Sequence, residues 1–387
     1  MTYAGSRRII DIDSHLFELD DFLHEAATAD ERPLIRDMAA QRELPVSADA
    51  IARGRELFGK RQQDPATMAK FEQDLLAIRP NPWSRLGAFD PAERSHTLDV
   101  FGFDEQWILP TFSFHQIAHV DDPRALAAGA GALNRAMGRF CSHDDRLHAI
   151  GYVPLSLGPK EALAIMNDGL DAGCHTFMID TNEPDRDAPS FTHPDFDPVW
   201  ARFASARIPF VAHVAVNGHY EAVPGSFRNN GRGAPLASGD APAGAIGFVA
   251  IKNSVELFFS AMIFDGVFDR HRGLRGISME HGAFWVPSWF QAIDMAAKAL
   301  PHESGTPRLP SDIAREHLRF APFAGEPLGW ITDQVGPNLL VFASDYPHPE
   351  GSDDPIRRFE AALGERGPDV LEAFYSGNMM RLMEPRA

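Results

Sequence analysis

The chain has 387 residues, of which 44% are hydrophobic and 23% are charged, as is usual for a soluble globular protein. Its net charge of −18 argues against a nucleic-acid partner, because phosphate backbones are bound by concentrated basic surfaces. No apolar run approaches the roughly 20 residues that a membrane span requires. We therefore expect neither nucleic acid nor a membrane among its partners.

The cysteines and the first residues bear on the cellular compartment. Cys141 and Cys174 are the two cysteines, and they do not stand in C-x-x-C spacing, which argues against a disulfide framework. The first eight residues lead into an apolar run without the hydrophobic region of a signal peptide. Together these features predict a cytoplasmic protein.

Strand-like apolar runs alternate with helical segments along the chain. The first strand is expected at about 8–13, and the charged stretch 19–94 is too long for an ordinary connection, which predicts a helical insertion. Loops are expected at about 217–244 and 301–315. Further strands are predicted at 107–111, 147–155, 175–180, 209–214, 276–280, 317–323 and 339–343. Helices are predicted at 122–142, 159–172, 197–206, 247–268, 287–300, 327–335, 355–363 and 370–374.

Eight strands in strand-then-helix order predict an α/β fold, a (β/α)8 TIM barrel that forms a single domain over residues 1–387. A doubly wound open sheet is the alternative. That fold usually carries a glycine-rich fingerprint after an early strand, and neither G-x-G-x-x-G nor a Walker motif occurs here.

Acids and histidines stand at the ends of four predicted strands. Asp11, Asp13 and His15 alternate along the first strand and therefore project to one face. Taken alone, this pattern also fits a strand that runs out into a polar turn. His213 ends the strand at 209–214, and Asp345 follows the strand at 339–343. Because parallel α/β folds assemble their sites at the carboxyl ends of strands, we expect these side chains to converge.

The expected ligands supply two imidazole nitrogens and two carboxylate oxygens. They are Asp13, His15, His213 and Asp345, a set that suits one divalent ion, with zinc expected first and manganese or ferrous iron as alternatives. His281, at the end of the strand at 276–280, is left to move protons or to polarise a substrate oxygen, and Asp345 also serves as a base. For any single histidine, a structural role in the core is the competing interpretation.

Several segments together resemble the amidohydrolase-related family of metal-dependent barrels, in the branch of aminocarboxymuconate-semialdehyde decarboxylase and the hydroxybenzoate decarboxylases. The matching segments are IDIDSHL at 10–16, GYVPL at 151–155, DFDPVW at 195–200, PFVAH at 209–213, EHGAFWVP at 280–287, SDYPHPEG at 344–351 and GN at 377–378. The resemblance spans nearly the whole chain.

The resemblance implies metal ligands at Asp13, His15, His213 and Asp345, and a catalytic histidine at His281. The chain departs from the family pattern at two positions. The muconate branch has histidine where this chain has Asp13. The hydroxybenzoate decarboxylases usually have glutamate three residues after the catalytic histidine, where this chain has Phe284.

Other residues near these motifs are weaker candidates. Asp11, Glu18 and Glu280 are expected to hold the ligands in place, or alternatively to bind a second metal ion. Aromatic residues and a histidine near strand ends are expected either to line a substrate pocket or to belong to the core. These are Phe112, Phe114, Phe284, Trp285 and His348.

Two reactions fit this set of residues. The first expectation is hydrolysis of an ester, thioester, amide or lactone carbonyl of a small aromatic or apolar acid derivative, by water that a bound metal activates. The alternative is non-oxidative decarboxylation, which the absence of the glutamate at Phe284 makes less favoured. A barrel that binds a small molecule without catalysis is the third hypothesis. The family resemblance also suggests a homodimer.

Overall fold

One parallel sheet organises the protein. The structure is a computed structural model, and it describes residues 2–38, 47–77, 79, 81–118, 120–181, 187–214, 223–233, 244–301, 306–349 and 351–384. Seven strands pair in chain order, each with the next. They are β1 Ile10–His15, β2 Glu105–Leu109, β3 Leu147–Val153, β4 Cys174–Ile179, β5 Phe210–Ala212, β6 Gly276–Ser278 and β7 Leu318–Phe320.

The segment 339–346 connects the two edge strands of this sheet. It replaces the predicted strand at 339–343 and pairs through isolated bridges, Leu340 with Phe320 in β7 and Tyr346 with Ser14 in β1. The amide of Val341 donates to the carbonyl of Phe320 over 3.1 Å, and the amide of Asp345 donates to the carbonyl of Asp13 over 2.8 Å. The architecture is therefore α/β and resembles a TIM barrel.

Helices follow most strands and cover the sheet. They are α1 Phe22–Ala26, α2 Ser47–Gln63, α3 Pro65–Gln73, α4 Pro91–Phe101, α5 Phe112–Ile117, α6 Pro123–Cys141, α7 Pro159–Asp171, α8 Asp197–Ala206, α9 Gly225–Arg228, α10 Gly244–Ala250, α11 Asn253–Phe264, α12 Val267–Arg270, α13 Val286–Ala299, α14 Pro310–His317, α15 Leu328–Val335, α16 Pro355–Leu363, α17 Pro368–Glu372 and α18 Asn378–Met383. The described part of 19–94 contains α1, α2, α3 and the start of α4.

Several predicted boundaries differ from those observed. The predicted helix at 247–268 is three helices, α10 to α12, and Gly266, with φ of 69°, interrupts the run before α12. The predicted loop at 301–315 contains the start of α14, and His317 ends that helix instead of starting a strand. Parts of the predicted loops at 217–244 and 301–315 lie outside the described residues.

The stretch Gly244–Phe264 is long and apolar enough to cross a membrane by length and composition, contrary to the sequence-based expectation. Half of this stretch is buried inside the protein. Residues 251–252, between α10 and α11, form a turn, and Val255 and Phe259 of α11 pack in the core. One such stretch is weak evidence for a membrane span, because core helices of soluble proteins meet the same criteria of length and composition.

Helix α6 shows how the helices are fastened to the sheet. The buried side chain of Asn134 accepts a hydrogen bond from the amide of Tyr152 over 2.7 Å and donates one to the carbonyl of Tyr152 over 3.1 Å. Because a buried amide side chain costs free energy unless it is hydrogen-bonded, this pair fixes α6 on β3. Small residues allow close approach elsewhere on α6. A Cβ atom at Gly138 would overlap the carbonyl oxygen of Ala172.

Two glycine-to-alanine variants test this packing. Gly138→Ala should lower the free energy of unfolding by about 1–3 kcal/mol, because the added methyl group meets rigid backbone. Gly59→Ala is the matched control in helix α2, where nothing lies within 4 Å of the new methyl group. It should raise stability by up to about 1 kcal/mol. Urea denaturation measures the free energy of unfolding of both variants. Equal changes of the same sign in Gly138→Ala and Gly59→Ala would contradict the packing described for α6.

Candidate metal centre

Two imidazoles and two carboxylates converge at the carboxyl ends of the strands. Asp13, His15, His213 and Glu280 each offer one ligand atom, and these four atoms lie within 4.8 Å of one another. His15 Nε2 lies 3.3 Å from Asp13 Oδ1 and 3.7 Å from Glu280 Oε1. His213 Nε2 lies 3.6 Å from Glu280 Oε2 and 3.9 Å from Asp13 Oδ1. Tetrahedral ligands at 2.0–2.2 Å from an ion stand about 3.3–3.6 Å apart, so the cluster matches the size of a metal site.

The local backbone explains why Glu280 belongs to this cluster. Asp13 and His15 point inward from β1 by strand alternation, and His213 directly follows β5. Glu280 and His281 are neighbours, and in a strand they would face opposite sides. Strand β6 ends at Ser278, however, and Glu280 has φ of 57° in the left-handed region. This turn directs the carboxylate of Glu280 into the cluster and still leaves His281 buried nearby.

Asp345 lies beside the cluster on a second left-handed turn, with φ of 55°. Its Oδ1 lies 3.8 Å from His15 Nε2 and 3.4 Å from His348 Nδ1. His15, Glu280, Asp345 and His348 therefore form a second group of candidate ligands. The nitrogen of His15 that faces both groups is the same Nε2 atom, which ligates one ion at a time. The two groups share His15 and Glu280, and an ion bound at His15 Nε2 could take its other ligands from either group.

His281 is fully buried next to the cluster. Its Nδ1 lies 3.1 Å from the hydroxyl of Ser278, and its Nε2 makes no hydrogen bond within the described part of the chain. Burial, and then the nearby His213, lowers the pKa of His281 to about 3. The imidazole is therefore neutral near pH 7, and it can donate or accept one hydrogen bond toward a bound molecule.

Asp11 and Glu18 belong to neither ligand group among the described residues. Asp11 accepts hydrogen bonds from Gln106 Nε2 over 2.9 Å and from the amide and hydroxyl of Ser344 over 2.8 and 2.6 Å. Burial raises the pKa of Asp11 to about 6. Its hydrogen bonds hold the turn that carries Asp345.

Glu18 caps the start of helix α5. Its carboxylate accepts hydrogen bonds from the amides of Thr111, Phe112 and Ser113 over 2.9, 2.9 and 3.1 Å, and from the hydroxyl of Ser113. A carboxylate at a helix N-terminus is stabilised by such amides. Both of its oxygens are thereby engaged in fixing the start of α5 and Thr111, the residue directly before it.

A cavity of about 430 Å³ opens onto the cluster. One wall is acidic and consists of Asp13, Glu280 and Asp345, and Arg358 also lines the cavity. The rest of the wall is mostly apolar. It includes Phe248, Ile251, Ala321, Pro322, Phe323, Ala324 and Ala343.

The residues proposed from the sequence for the pocket lie in different places. Phe284 stacks near-parallel to Phe248, which lines the cavity, with ring centroids 6.5 Å apart. His348 is buried and stacks on His15 at 4.0 Å. Phe112 stacks on Trp83 at 4.9 Å. Phe114 and Trp285 are 2% exposed and pack in the core, Phe114 against Tyr152 and Trp285 against Trp289.

Two buried arginines behind the cluster were missed from the sequence. Arg94 donates to the carbonyl of His15 over 2.6 Å, and Arg85 donates to the carbonyls of Pro347 and His348 over 3.3 Å each. Both guanidinium groups lie over the ring of Tyr346, at 5.2 and 4.5 Å. Burial lowers the pKa of Arg94 to about 10, so it remains charged at neutral pH. No local pattern marks them, because arginines in helical and loop segments usually face solvent.

Glu326 is a second buried residue that sequence patterns do not mark. Its carboxylate accepts hydrogen bonds from the amide of Ala283 over 3.0 and 3.1 Å and from the amide of Phe284 over 3.4 Å. Burial raises the pKa of Glu326 to about 7. This carboxylate holds the turn between His281 and α13.

The chain matches a known protein family. Residues 10–383 match the model of the family described as amidohydrolase. No curated protein matches the chain by sequence. Among solved structures, an amidohydrolase of Mycobacterium avium subsp. paratuberculosis K-10 is similar with a TM-score of 0.73 and 19% identity, over 98% of this chain and 99% of that one.

Two decarboxylases have a similar fold. A 5-carboxyvanillate decarboxylase of Novosphingobium aromaticivorans, solved with manganese and 4-hydroxy-3-methoxy-5-nitrobenzoic acid, has a TM-score of 0.65 and 15% identity, over 99% of this chain and 97% of that one. A 2,6-dihydroxybenzoate decarboxylase from Rhizobium has a TM-score of 0.61 and 18% identity, over 81% and 94%. At these low sequence identities, the structural similarity shows a shared fold and nothing further.

The raised pKa of Glu326 predicts a pH-dependent stability. Between its ordinary value of 4.5 and about 7, the folded protein retains a proton that the unfolded chain has lost. The free energy of unfolding contributed by this group therefore falls as the pH rises through that window. Glu326→Gln keeps an acceptor for Ala283 without the charge, so unfolding free energy should fall less between pH 5 and 8 than in the wild type.

Urea denaturation at pH 5, 6, 7 and 8 measures this difference. The exposed Glu365→Gln substitution is the matched control and should follow the wild-type curve. A Glu326→Gln curve parallel to the wild type at all four pH values would contradict the assignment.

Proposed function

Because the chain belongs to the amidohydrolase family, we propose that it is a metal-dependent enzyme that removes a carboxyl group from a small aromatic or apolar carboxylic acid without oxidation. The observation that carries this proposal is the meeting of a His–carboxylate cluster with a largely apolar cavity of about 430 Å³. Such a cavity suits a ring of the size of benzoic acid, with its carboxylate directed to the cluster.

The donor set fits one divalent cation. Asp13, His15, His213 and Glu280 would hold it, with Asp345 at its side, and two nitrogens with two oxygens suit zinc, manganese or ferrous iron. When bound, the ion supplies positive charge that orients a substrate carboxylate or hydroxyl group and stabilises negative charge on it. Manganese in the similar Novosphingobium enzyme supports a trial of both manganese and zinc.

The chain's own side chains supply the remaining chemistry. Asp345 lines the cavity and, after it takes up a proton from solvent, is the acid that gives this proton to the carbon as carbon dioxide leaves. Neutral His281 presents Nε2 for a hydrogen bond to a substrate oxygen. The rings of Phe248 and Phe323 also line the cavity, with centroids 5.5 Å apart, and they offer an apolar surface to the ring of a substrate.

Hydrolysis, the first expectation from the sequence, becomes the second candidate. It is supported by the similar amidohydrolase of Mycobacterium avium and by Asp345, which is placed to accept a proton from water beside the cluster. Decarboxylation is preferred because several solved structures of this fold are decarboxylases and because the cavity wall opposite the acids is apolar. A barrel that binds without catalysis would show neither reaction.

Metal-loaded protein tests the two reactions directly. Incubation with 2,6-dihydroxybenzoate, 5-carboxyvanillate, aryl esters and aryl thioesters should release carbon dioxide from an aromatic acid and leave the esters intact. In deuterium oxide, the product should carry deuterium at the carbon that lost the carboxyl group. Ester or thioester cleavage with no carbon dioxide would overturn decarboxylation in favour of hydrolysis.

Removal of a ligand histidine should abolish metal retention. His213→Ala deletes one of four donors, so the zinc or manganese content after gel filtration should fall from near one ion per chain to well below half. Elemental analysis measures it. His96→Ala is the control, because His96 is half-exposed and pairs with Glu72 on the surface. Full metal content in His213→Ala would remove His213 from the ligand set.

Substitution of His281 should separate binding from turnover. His281→Asn keeps a polar side chain next to Ser278 and leaves the proposed ligands intact, so metal content should stay near the wild-type level. Turnover should fall by roughly 10²–10⁴-fold if the imidazole acts on the substrate. The measurement is carbon dioxide release at saturating substrate. Metal loss in this variant would mean that His281 is a ligand.

A further inference from the structure

A buried chain of polar contacts joins Asp345 to the imidazole of His15. His348 Nδ1 lies 3.4 Å from Asp345 Oδ1, and His348 Nε2 lies 2.9 Å from the hydroxyl of Thr111. The same hydroxyl lies 3.3 Å from His15 Nδ1. Thr111, His348 and His15 are 3%, 1% and 0% exposed, so water does not compete for these contacts. The sequence indicated no role for Thr111, and it predicted His348 either in a substrate pocket or in the core.

The hydroxyl of Thr111 limits the hydrogen-bond directions along this chain. Thr111 Oγ1 has one proton and two lone pairs, so it can donate to at most one of the two imidazoles and accepts from any imidazole to which it does not donate. If it donates to His348, a neutral His348 carries its proton on Nδ1, toward Asp345. His15 then donates from Nδ1 to Thr111, and its Nε2 lone pair faces Asp13 and Glu280. A metal ion requires that lone pair.

If the hydroxyl proton of Thr111 points to His15 instead, a lone pair of His348 Nδ1 faces a carboxylate oxygen of Asp345. If Thr111 donates to His15, His348 must donate from Nε2, and its Nδ1 lone pair then faces the carboxylate of Asp345 at 3.4 Å. An ionised Asp345 disfavours this arrangement and selects the first one. The carboxylate therefore biases His15, through His348 and Thr111, toward the tautomer that binds a cation.

We infer that Thr111 and His348 are positioning residues that fix the tautomer and the ring orientation of His15 for metal binding. The inference rests on the metal-binding part of the proposed function and is independent of which reaction follows. Two features hold the chain in place. The amide of Thr111 donates to Glu18 over 2.9 Å, and the ring of His348 stacks on that of His15 at 4.0 Å and 30°.

Zinc affinity is the readout, measured on metal-free protein by competition with a fluorescent chelator. Thr111→Val keeps the shape of the side chain and deletes the hydroxyl, and it should weaken zinc binding by about 10–100-fold. Thr111→Ser restores the hydroxyl and should bind within a few-fold of the wild type. Ser113→Ala is the matched control, since it deletes a buried hydroxyl two residues further along the chain, and this hydroxyl contacts Glu18 and neither imidazole.

A double-mutant cycle separates a connected chain from two independent packing defects. His348→Phe keeps a ring against His15 and should also weaken zinc binding by about 10–100-fold. If the two residues act through one chain, Thr111→Val with His348→Phe should lose little more than the larger single loss, because coupled residues are not additive. Circular dichroism and urea denaturation of each metal-free variant establish that it is folded.

The outcomes distinguish a failure of this inference from a failure of the proposed function. Any of three results would overturn the inference while leaving the proposed function intact. The first is wild-type zinc affinity in Thr111→Val, and the second is a loss of zinc affinity in Thr111→Ser or Ser113→Ala as large as that in Thr111→Val. The third is a pair of losses that multiply in the double variant. Failure of the wild-type protein to bind either zinc or manganese would overturn the proposed function, and this inference with it.

Discussion

Two carboxylates and two imidazoles share a small, largely buried space, and that arrangement is unfavourable unless positive charge offsets it. Asp13 and Glu280 each lie within 4 Å of both His15 and His213. Burial of like charges costs several kcal/mol per ion in the absence of a cation or a bound proton. A protein that holds such a group in place therefore has a cation or protons as its partner, and a divalent ion satisfies all four donors at once.

The surrounding structure is arranged to keep this group assembled. Asp11 anchors the turn of Asp345 through Ser344, and Glu18 anchors Thr111 through the start of α5. Arg94 contacts the backbone carbonyl of His15, and its guanidinium places fixed positive charge behind the ligands. None of these three contacts the cavity, yet each controls where a ligand stands. Ligands are commonly held by such surrounding hydrogen bonds, which fix their orientation.

Strain is concentrated at the same place. Of the three non-glycine residues with positive φ within the described ranges, two are Glu280 and Asp345. A left-handed backbone costs of order 1 kcal/mol or more for such residues, and it persists where surrounding contacts hold it. At Glu280 it turns a second acid toward the cluster immediately after β6. At Asp345 it directs a carboxylate that both lies beside His15 and lines the cavity.

The alternation of strands and helices, and the histidines and acids at strand ends, could be predicted from the sequence, because apolar runs and strand parity depend on neighbouring residues. Asp13, His15 and His213 were identified in this way, and the structure brings them together. The fold places Glu280 in both candidate ligand groups and Asp345 in one of them, and the sequence did not indicate this because a left-handed turn is not specified by the residue types around it. The fold also brought Arg94, Thr111, Glu326 and His348 to the site. These contacts join residues tens to hundreds of positions apart in the chain, and only folding sets the distances between them.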